Sequence, residues 1–497
     1  MDSYREKGTM PTSENNGVQF PNQFGAAPSA SDLVHRVLVQ TIERFPQTFA
    51  RLRTDPKKTP FRSAHLSDLL MDFEILRGAS PQRIEIAKSI TDLLQTWFLF
   101  KTQYGSQTLE QTFAGTTVPL PLTLEAPKET YQQQEIGISY GGRKFTGREE
   151  LLKAVALFVH DNAMSDEAAQ ALEWSINFIS DRENMGILRK RKFVLLGGTA
   201  ELSPLTILLS LGADVFTTHS SSHSLRRKLD SEADNIGYPG RLFHTKDGCD
   251  LLTSPDAISQ TIIDSFAKGE KLDIGLFAYK GGKGYEWRLA SAMDGIVRNL
   301  RRINLIRSVT YYLSPSMITE ISPSTAAVSQ ERFNRQYSLE KRLLNLFAFN
   351  SLWKRNISAL DGKYWARSVL AYQGASYAAA NLFGKIYPAE VYCSDFKMQD
   401  AVIVSANVAP ITATASTETP ATRLALAEAG RFGIDVFAPG TTRTLMCLLM
   451  LHDLLHPSPP SLENVFSKQV HGGVFTAPWA LESIMKLAYL RGLLRRR

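Results

Sequence analysis

A glycine pair, Gly197-Gly198, ends the apolar run Phe193–Leu196 and is followed by Thr199, by Pro204 and by an apolar stretch to Leu211. Read as strand, turn and helix, this arrangement points unpaired amide hydrogens and a helix N-terminus at the turn, a combination that attracts phosphate. Glycine permits the tight turn. Pro204 suits a first helical turn, where its missing amide hydrogen is no loss.

A second apolar run, Ala213–Thr218, ends in His219-Ser220-Ser221-Ser222, with Arg226, Arg227 and Lys228 just beyond. A carboxylate at such a strand end binds ribose hydroxyls, whereas hydroxyl and cationic donors suit a 2′-phosphate. The segment shows the second chemistry, so a dinucleotide held by Gly197, Gly198, Thr199, His219, Ser220 and Arg226 is expected to be NADP. The basic run also reads as the solvated face of a helix. A third candidate loop, Lys280-Gly281-Gly282-Lys283-Gly284, leaves the apolar run Ile274–Tyr279. Its two lysines are placed either to meet negative charge or to form plain loop surface.

These segments need elements to hold them. Phe193–Leu196, Ala213–Thr218, Arg241–Thr245, Ile274–Tyr279, Val309–Leu313, Ala401–Ala406 and Asp435–Phe437 each read as a strand, most of them separated by amphipathic helix patterns. Strand, helix, strand in repetition predicts an α/β fold, a Rossmann-like parallel sheet with helices on both faces. Helical spacing of Leu69, Leu70, Phe73 and Leu76 predicts a mostly helical N-terminal domain before it. The expected boundaries are a disordered tail over 1–30, a helical domain over 31–185, the Rossmann-like domain over 190–456 with a helical insertion at 330–356, and a helical extension over 457–497.

From about Phe193 to Thr414 the order of elements resembles the short-chain dehydrogenase/reductase family. Gly198 matches the first of that family's three turn glycines, while Leu202 and Pro204 stand where the other two would be. Ser314, at the end of the fifth strand, matches the catalytic serine, which implies a hydrogen bond to a substrate carbonyl oxygen. Tyr377-Ala378-Ala379-Ala380-Asn381 resembles the family's Tyr-x-x-x-Lys, which implies that Tyr377 is the proton donor, with Asn381 in place of the lysine. A phenol with a pKa near 10 needs a nearby cation to favour its phenolate at neutral pH. Lys385 lies two helical turns away, about 12 Å along the axis, so Lys280 or Lys283 is expected to supply that charge. Pro410 and Thr412, after the sixth strand, match the segment that contacts the nicotinamide carboxamide. The resemblance implies an NADP(H)-dependent oxidoreductase acting on a small carbonyl or alcohol substrate. Two other classes stay open: a non-redox enzyme on the same fold, such as a dehydratase, isomerase or cyclase, and a non-catalytic binding protein.

Composition narrows the partners. The chain of 497 residues is 43% hydrophobic and 21% charged, which suits a large globular core. Its net charge of +7 is dispersed, so a nucleic-acid partner is not expected. No apolar run reaches the roughly 18 residues of a membrane span. Cys249, Cys393 and Cys447 lie far apart without metal-binding spacing, and a cytoplasmic setting is expected. His452, Asp453 and His456 share a helix end with Pro457 directly after, and no metal site is expected there. A homo-oligomer is compatible with the resemblance.

Overall fold

The computed structural model describes residues 16–21, 29–53, 63–115, 117–126, 136–181, 183–233, 238–266, 269–336, 353–370, 373–394, 401–415 and 419–495. Its centre is a seven-stranded sheet. Six strands are parallel: β1 (Lys192–Leu196), β2 (Asp214–Thr217), β3 (Leu242–Thr245), β4 (Leu272–Leu276), β5 (Ile306–Leu313) and β6 (Ile403–Val408). They lie side by side as β3-β2-β1-β4-β5-β6, and Leu122–Glu125 adds an antiparallel edge to β3.

The strands are apolar on both faces because both faces are covered. Val194 and Leu196 of β1 enter one hydrophobic core, while Phe193 and Leu195 enter the other. The first core is shared with the helices Ala30–Arg44, Ser63–Ala79 and Arg83–Trp97; the second is shared with Arg148–His160, Asp166–Ser180 and Pro439–Leu455. Residues 31–185 carry helices that join the two cores on either side of the sheet, packed largely on other helices: Arg83–Trp97 meets Tyr387–Ser394, and Asp166–Ser180 meets Pro439–Leu455.

Several sequence expectations change in detail. Part of the tail expected over 1–30 is ordered: Gly17–Gln19 pairs antiparallel with Leu99–Lys101, Val18 is fully buried, and Phe20 packs edge-on to Phe98. The alternation of Val18 with polar neighbours is too short a signal to separate from a tail. The fourth strand stops at Leu276 rather than Tyr279, because the amides of both Phe277 and Ala278 turn to Leu196 O. Asp435–Phe437 makes only a single parallel bridge, Phe437 to Thr412. Within the expected insertion at 330–356, the helix Pro323–Gln336 covers the start, and 337–352 lie outside the described residues. The expected C-terminal extension carries the helix Leu481–Arg495.

Candidate functional site

The carboxyl ends of parallel strands gather on one edge of the sheet, where open α/β folds bind their ligands. A cavity of about 620 Å³ opens there. Its wall comes from the exits of β1, β4, β5 and β6, from the helix α1 (Tyr285–Arg302), and from α2 (Gly374–Asn381). Met293, Leu313, Leu370, Leu426 and Met485 make much of it apolar.

Two of the expected residues meet in this cavity. Ser314 directly follows β5, and Tyr377 stands on α2; the Tyr377 hydroxyl donates to Ser314 Oγ at 2.7 Å, and both line the cavity. Small residues bring them together. Ala378, Ala379 and Ala380 are buried, and a Cβ on Gly384 would stand 2.5 Å from Ala290 Cβ, so only glycine lets this helix approach α1 so closely. Burial pushes the Tyr377 phenol above its usual pKa, opposed by hydrogen bonding with Ser314, Ser316, Asn381 and Gln373.

After Asn381 the helix widens into a π-turn, Leu382–Ile386, before continuing as Tyr387–Ser394. Such a turn holds more residues than an α-turn and rotates the helix beyond it. Lys385 is thereby brought to the cavity that Tyr377 and Asn381 also line. Its ammonium donates to Tyr312 O at 3.0 Å, and burial lowers its pKa to about 8. Lys280 and Lys283 are exposed and do not line the cavity; the Lys280 ammonium sits 4.1 Å above the Tyr285 ring. The glycines between them, Gly281 and Gly282, do line it. Glu286 joins this wall, accepting from Gly282 N at 2.9 Å and from Ser376 Oγ at 2.8 Å.

Of the remaining expected site residues, Pro410 and Thr412 line the cavity, and Thr412 Oγ1 is 2.7 Å from Thr442 Oγ1. Gly197, Gly198, Thr199, His219, Ser220 and Arg226 do not line it. His219 is buried with Nε2 3.0 Å from Thr245 O, whereas Ser220 and Arg226 are exposed. His452 and His456 stack on each other at 4.6 Å, and Asp453 turns inward to Ser405, Asn407 and Lys468. Among the described residues no group of three His, Cys, Asp or Glu side chains is placed to hold a metal ion.

The cavity fits the nicotinamide half of a dinucleotide. A Cβ on Gly282 would meet nothing within 4 Å, so backbone is open to a flat ring there, and Asn381 Oδ1 and Tyr312 Oη are buried polar atoms without a hydrogen-bond partner among the lining residues. The phosphate half meets a different surface. The amides of Gly197, Ala200 and Ser203 are taken by Thr218 Oγ1, Gly197 O and Ala200 O. The helix beyond, Leu205–Ser210, has only six residues, and the Glu201 carboxylate, which accepts from Ala415 N at 3.0 Å, lines the cavity beside the turn. The two glycines serve close packing: a Cβ on Gly198 would stand 1.8 Å from Thr217 Oγ1, and one on Gly197 2.4 Å from the Ala278 backbone.

The strand order β3-β2-β1-β4-β5-β6 is the doubly wound dinucleotide-binding order, and the serine at the exit of β5 is bonded to a tyrosine on α2, in the connection from β5 to β6. The fold is a doubly wound, Rossmann-like α/β fold, similar to that of short-chain dehydrogenase/reductases. No protein-family model matches the sequence, and a comparison with curated proteins finds no match. Solved structures with a similar fold include a short-chain dehydrogenase from Brucella melitensis titled a glucose/ribitol dehydrogenase, at 15% identity and a TM-score of 0.34 over 57% of this chain and 96% of that one. A 3-oxoacyl-[acyl-carrier protein] reductase with bound NAD from the same organism aligns at 12% identity and TM-score 0.35, covering 59% of this chain and 95% of its own. The NADPH-dependent 3-quinuclidinone reductase of Rhodotorula rubra aligns at 11% identity and TM-score 0.34, covering 58% and 92%. No helix among the described residues is long and apolar enough to cross a membrane.

Proposed function

We propose that the protein is an NADP(H)-dependent oxidoreductase that reduces the carbonyl group of a small, largely apolar molecule. The observation that carries this reading is the 2.7 Å hydrogen bond between Tyr377 and Ser314 inside an apolar cavity at the carboxyl edge of the sheet. A carbonyl oxygen reaching this pair meets the Tyr377 hydroxyl, which Ser314 holds in place and which gives it a proton as negative charge develops. The raised pKa of the phenol keeps that proton in place at neutral pH, which suits reduction better than oxidation. NADPH, when bound, supplies the hydride. Gly281, Gly282, Pro410 and Thr412 would hold its nicotinamide end, and Ser220 and Arg226 follow the β2 exit in a segment, His219–Lys228, whose sequence has no carboxylate to oppose a 2′-phosphate. Lys385, on the same cavity wall as Tyr377, adds positive charge below its pKa of about 8.

The test is titration with NADPH and NADH, followed by turnover over a panel of apolar ketones and aldehydes with wild type and Tyr377→Phe. Tighter binding of NADPH and turnover that needs Tyr377 are expected. Equal affinity, or preference for NADH, would remove Ser220 and Arg226 from the cofactor site. A second reading, a non-redox dehydratase, isomerase or cyclase, draws support from the amides already bonded within the Gly197 turn and from Glu201 beside it. Conversion of substrate that depends on Tyr377 without any dinucleotide would decide for that reading. Neither binding nor conversion would leave a non-catalytic role.

A further inference from the structure

Behind Tyr377 and Ser314 lies a chain of hydroxyls that the family resemblance does not account for. Ser316 Oγ donates to Gln373 Oε1 at 2.9 Å. A serine hydroxyl has one proton, so Ser316 Oγ can only accept from Ser314 Oγ, 2.8 Å away. Ser314 has then spent its own proton, and its oxygen accepts both the Ser316 amide at 3.1 Å and the Tyr377 hydroxyl at 2.7 Å. Every proton in the array points the same way, from the phenol toward the amide oxygen. Ser316 is buried, and all four side chains line the cavity.

We propose that Gln373 is a positioning residue, whose amide oxygen is the terminal acceptor that sets the direction of the Ser316, Ser314 and Tyr377 hydroxyl protons and so keeps Tyr377 the donor of the pair. Without that acceptor, Ser316 is free to donate to Ser314, and Ser314 to donate to the phenol, which reverses the array. The direction also matters after proton transfer. The proton leaves Tyr377 Oη for the substrate oxygen, the phenolate keeps the electron pair, and the Ser314 hydroxyl, held until then by Ser316, turns to donate to the phenolate while the Ser316 amide continues to hold Ser314 Oγ. A hydrogen-bonded chain of this kind polarises along its length, so its last acceptor is felt at the first donor.

This inference rests on the proposed acid role of Tyr377, and its test separates the two. The full-length protein is labelled with ¹³Cζ-tyrosine, the Tyr377 signal is assigned with Tyr377→Phe, and its titration is followed in wild type and in Gln373→Leu. The expected result is a downward shift of the Tyr377 titration in Gln373→Leu, because Ser316 and Ser314 are then free to donate toward the phenolate and stabilise it. In turnover, Gln373→Leu is expected to lower kcat by about tenfold, the order of one lost hydrogen bond, with KM nearly unchanged. Gln373→Glu keeps an acceptor oxygen in the same place and is expected to restore kcat near neutral pH. An unshifted Tyr377 titration in Gln373→Leu, or a Gln373→Glu variant no better than Gln373→Leu, overturns the proposal. Turnover that survives Tyr377→Phe would instead sink the acid role, while the titration of Tyr377 would still decide whether Gln373 acts on it.

Discussion

At the scale of single residues, the pair Tyr377 and Ser314 makes the sharpest demands. General acid catalysis is typically worth 10²–10⁴-fold, so Tyr377→Phe should lower kcat for carbonyl reduction by about that factor with the fold unchanged. In the proposed reaction the phenol acts in its protonated form, and burial holds its pKa above the usual value. The rate of reduction should therefore stay level through neutral pH and fall only as pH rises through that raised value, which a profile of log kcat/KM against pH would show. Lys385 makes a second demand. Its pKa falls to about 8 in the folded chain, so between that value and the ordinary lysine range the unfolded chain binds more protons and stability rises with pH. Below pH 8 the buried ammonium is a net cost. Lys385→Met should raise unfolding stability at pH 7 by roughly 1–3 kcal/mol, with the gain disappearing above about pH 10.5, as measured by urea titration at several pH values. Tyr377 and Ser314 are legible in the sequence because each sits at the end or on the face of a clearly patterned element. A regular α-helix would put Lys385 two turns from Tyr377, and the π-turn Leu382–Ile386 changes that geometry.

At the scale of elements, the glycines separate two roles that share one residue type. Gly197 has φ +90 and no room for a Cβ against the Ala278 backbone. Gly197→Ala combines a strained backbone with a clash between β1 and the segment leaving β4, so a loss of more than about 2 kcal/mol is expected. Gly282, with φ +81, has open space where its Cβ would be. Gly282→Ala should cost about 1–2 kcal/mol of stability from backbone strain alone, yet its methyl group would enter the cavity and weaken NADPH binding. Thermal unfolding and cofactor titration on the two variants would test this contrast; equal stability losses would show that the turns are not distinguished as the geometry requires. The glycine-rich turn is readable in the sequence as strand, turn and helix, but its hydrogen bonding is not. The amides of Gly197, Ala200 and Ser203 are bonded by their own neighbourhood, which no fingerprint spacing reveals.

At the scale of the whole molecule, a buried charge cluster ties the N-terminal helices to the helix that carries the site. Arg77 is fully buried, with Glu390 at 2.6 Å and Glu74 at 2.5 Å, while Tyr387 donates to Glu74 at 2.7 Å. Arg83 adds a contact of 2.6 Å to Glu390. Glu390 and Tyr387 belong to the helix Tyr387–Ser394, directly after the π-turn, so the cluster anchors the far end of the element that presents Tyr377 and Lys385. Removing one partner of a buried pair strands the other charge, and Arg77→Met is expected to cost about 3–5 kcal/mol at pH 7. Burial alone would raise the Glu390 carboxyl, but Arg77 and Arg83 outweigh it and hold its pKa below the usual range. The stabilisation from that carboxylate is thus present above the ordinary carboxylate pKa and lost as pH falls through the lower folded value. The gap between wild type and Arg77→Met should narrow in urea titrations below about pH 4; a gap independent of pH would place the effect in packing.

Periodicity alone determined much of this protein. Short apolar runs separated by amphipathic stretches required parallel strands buried on both faces, and strand ends then had to collect Ser314, Pro410 and Thr412 on one edge, whatever the loops did. Hydrophobic spacing also marked the helices of residues 31–185, but spacing describes the face a helix buries and not the surface that receives it. Only the tertiary structure decided that those helices divide between the two cores on either side of the sheet, that Lys385 rather than Lys280 or Lys283 reaches the cavity, and that Gln373 ends the hydroxyl chain behind Tyr377. Each of these depends on contacts between residues distant in sequence or on one irregular turn, and a local pattern carries no record of either.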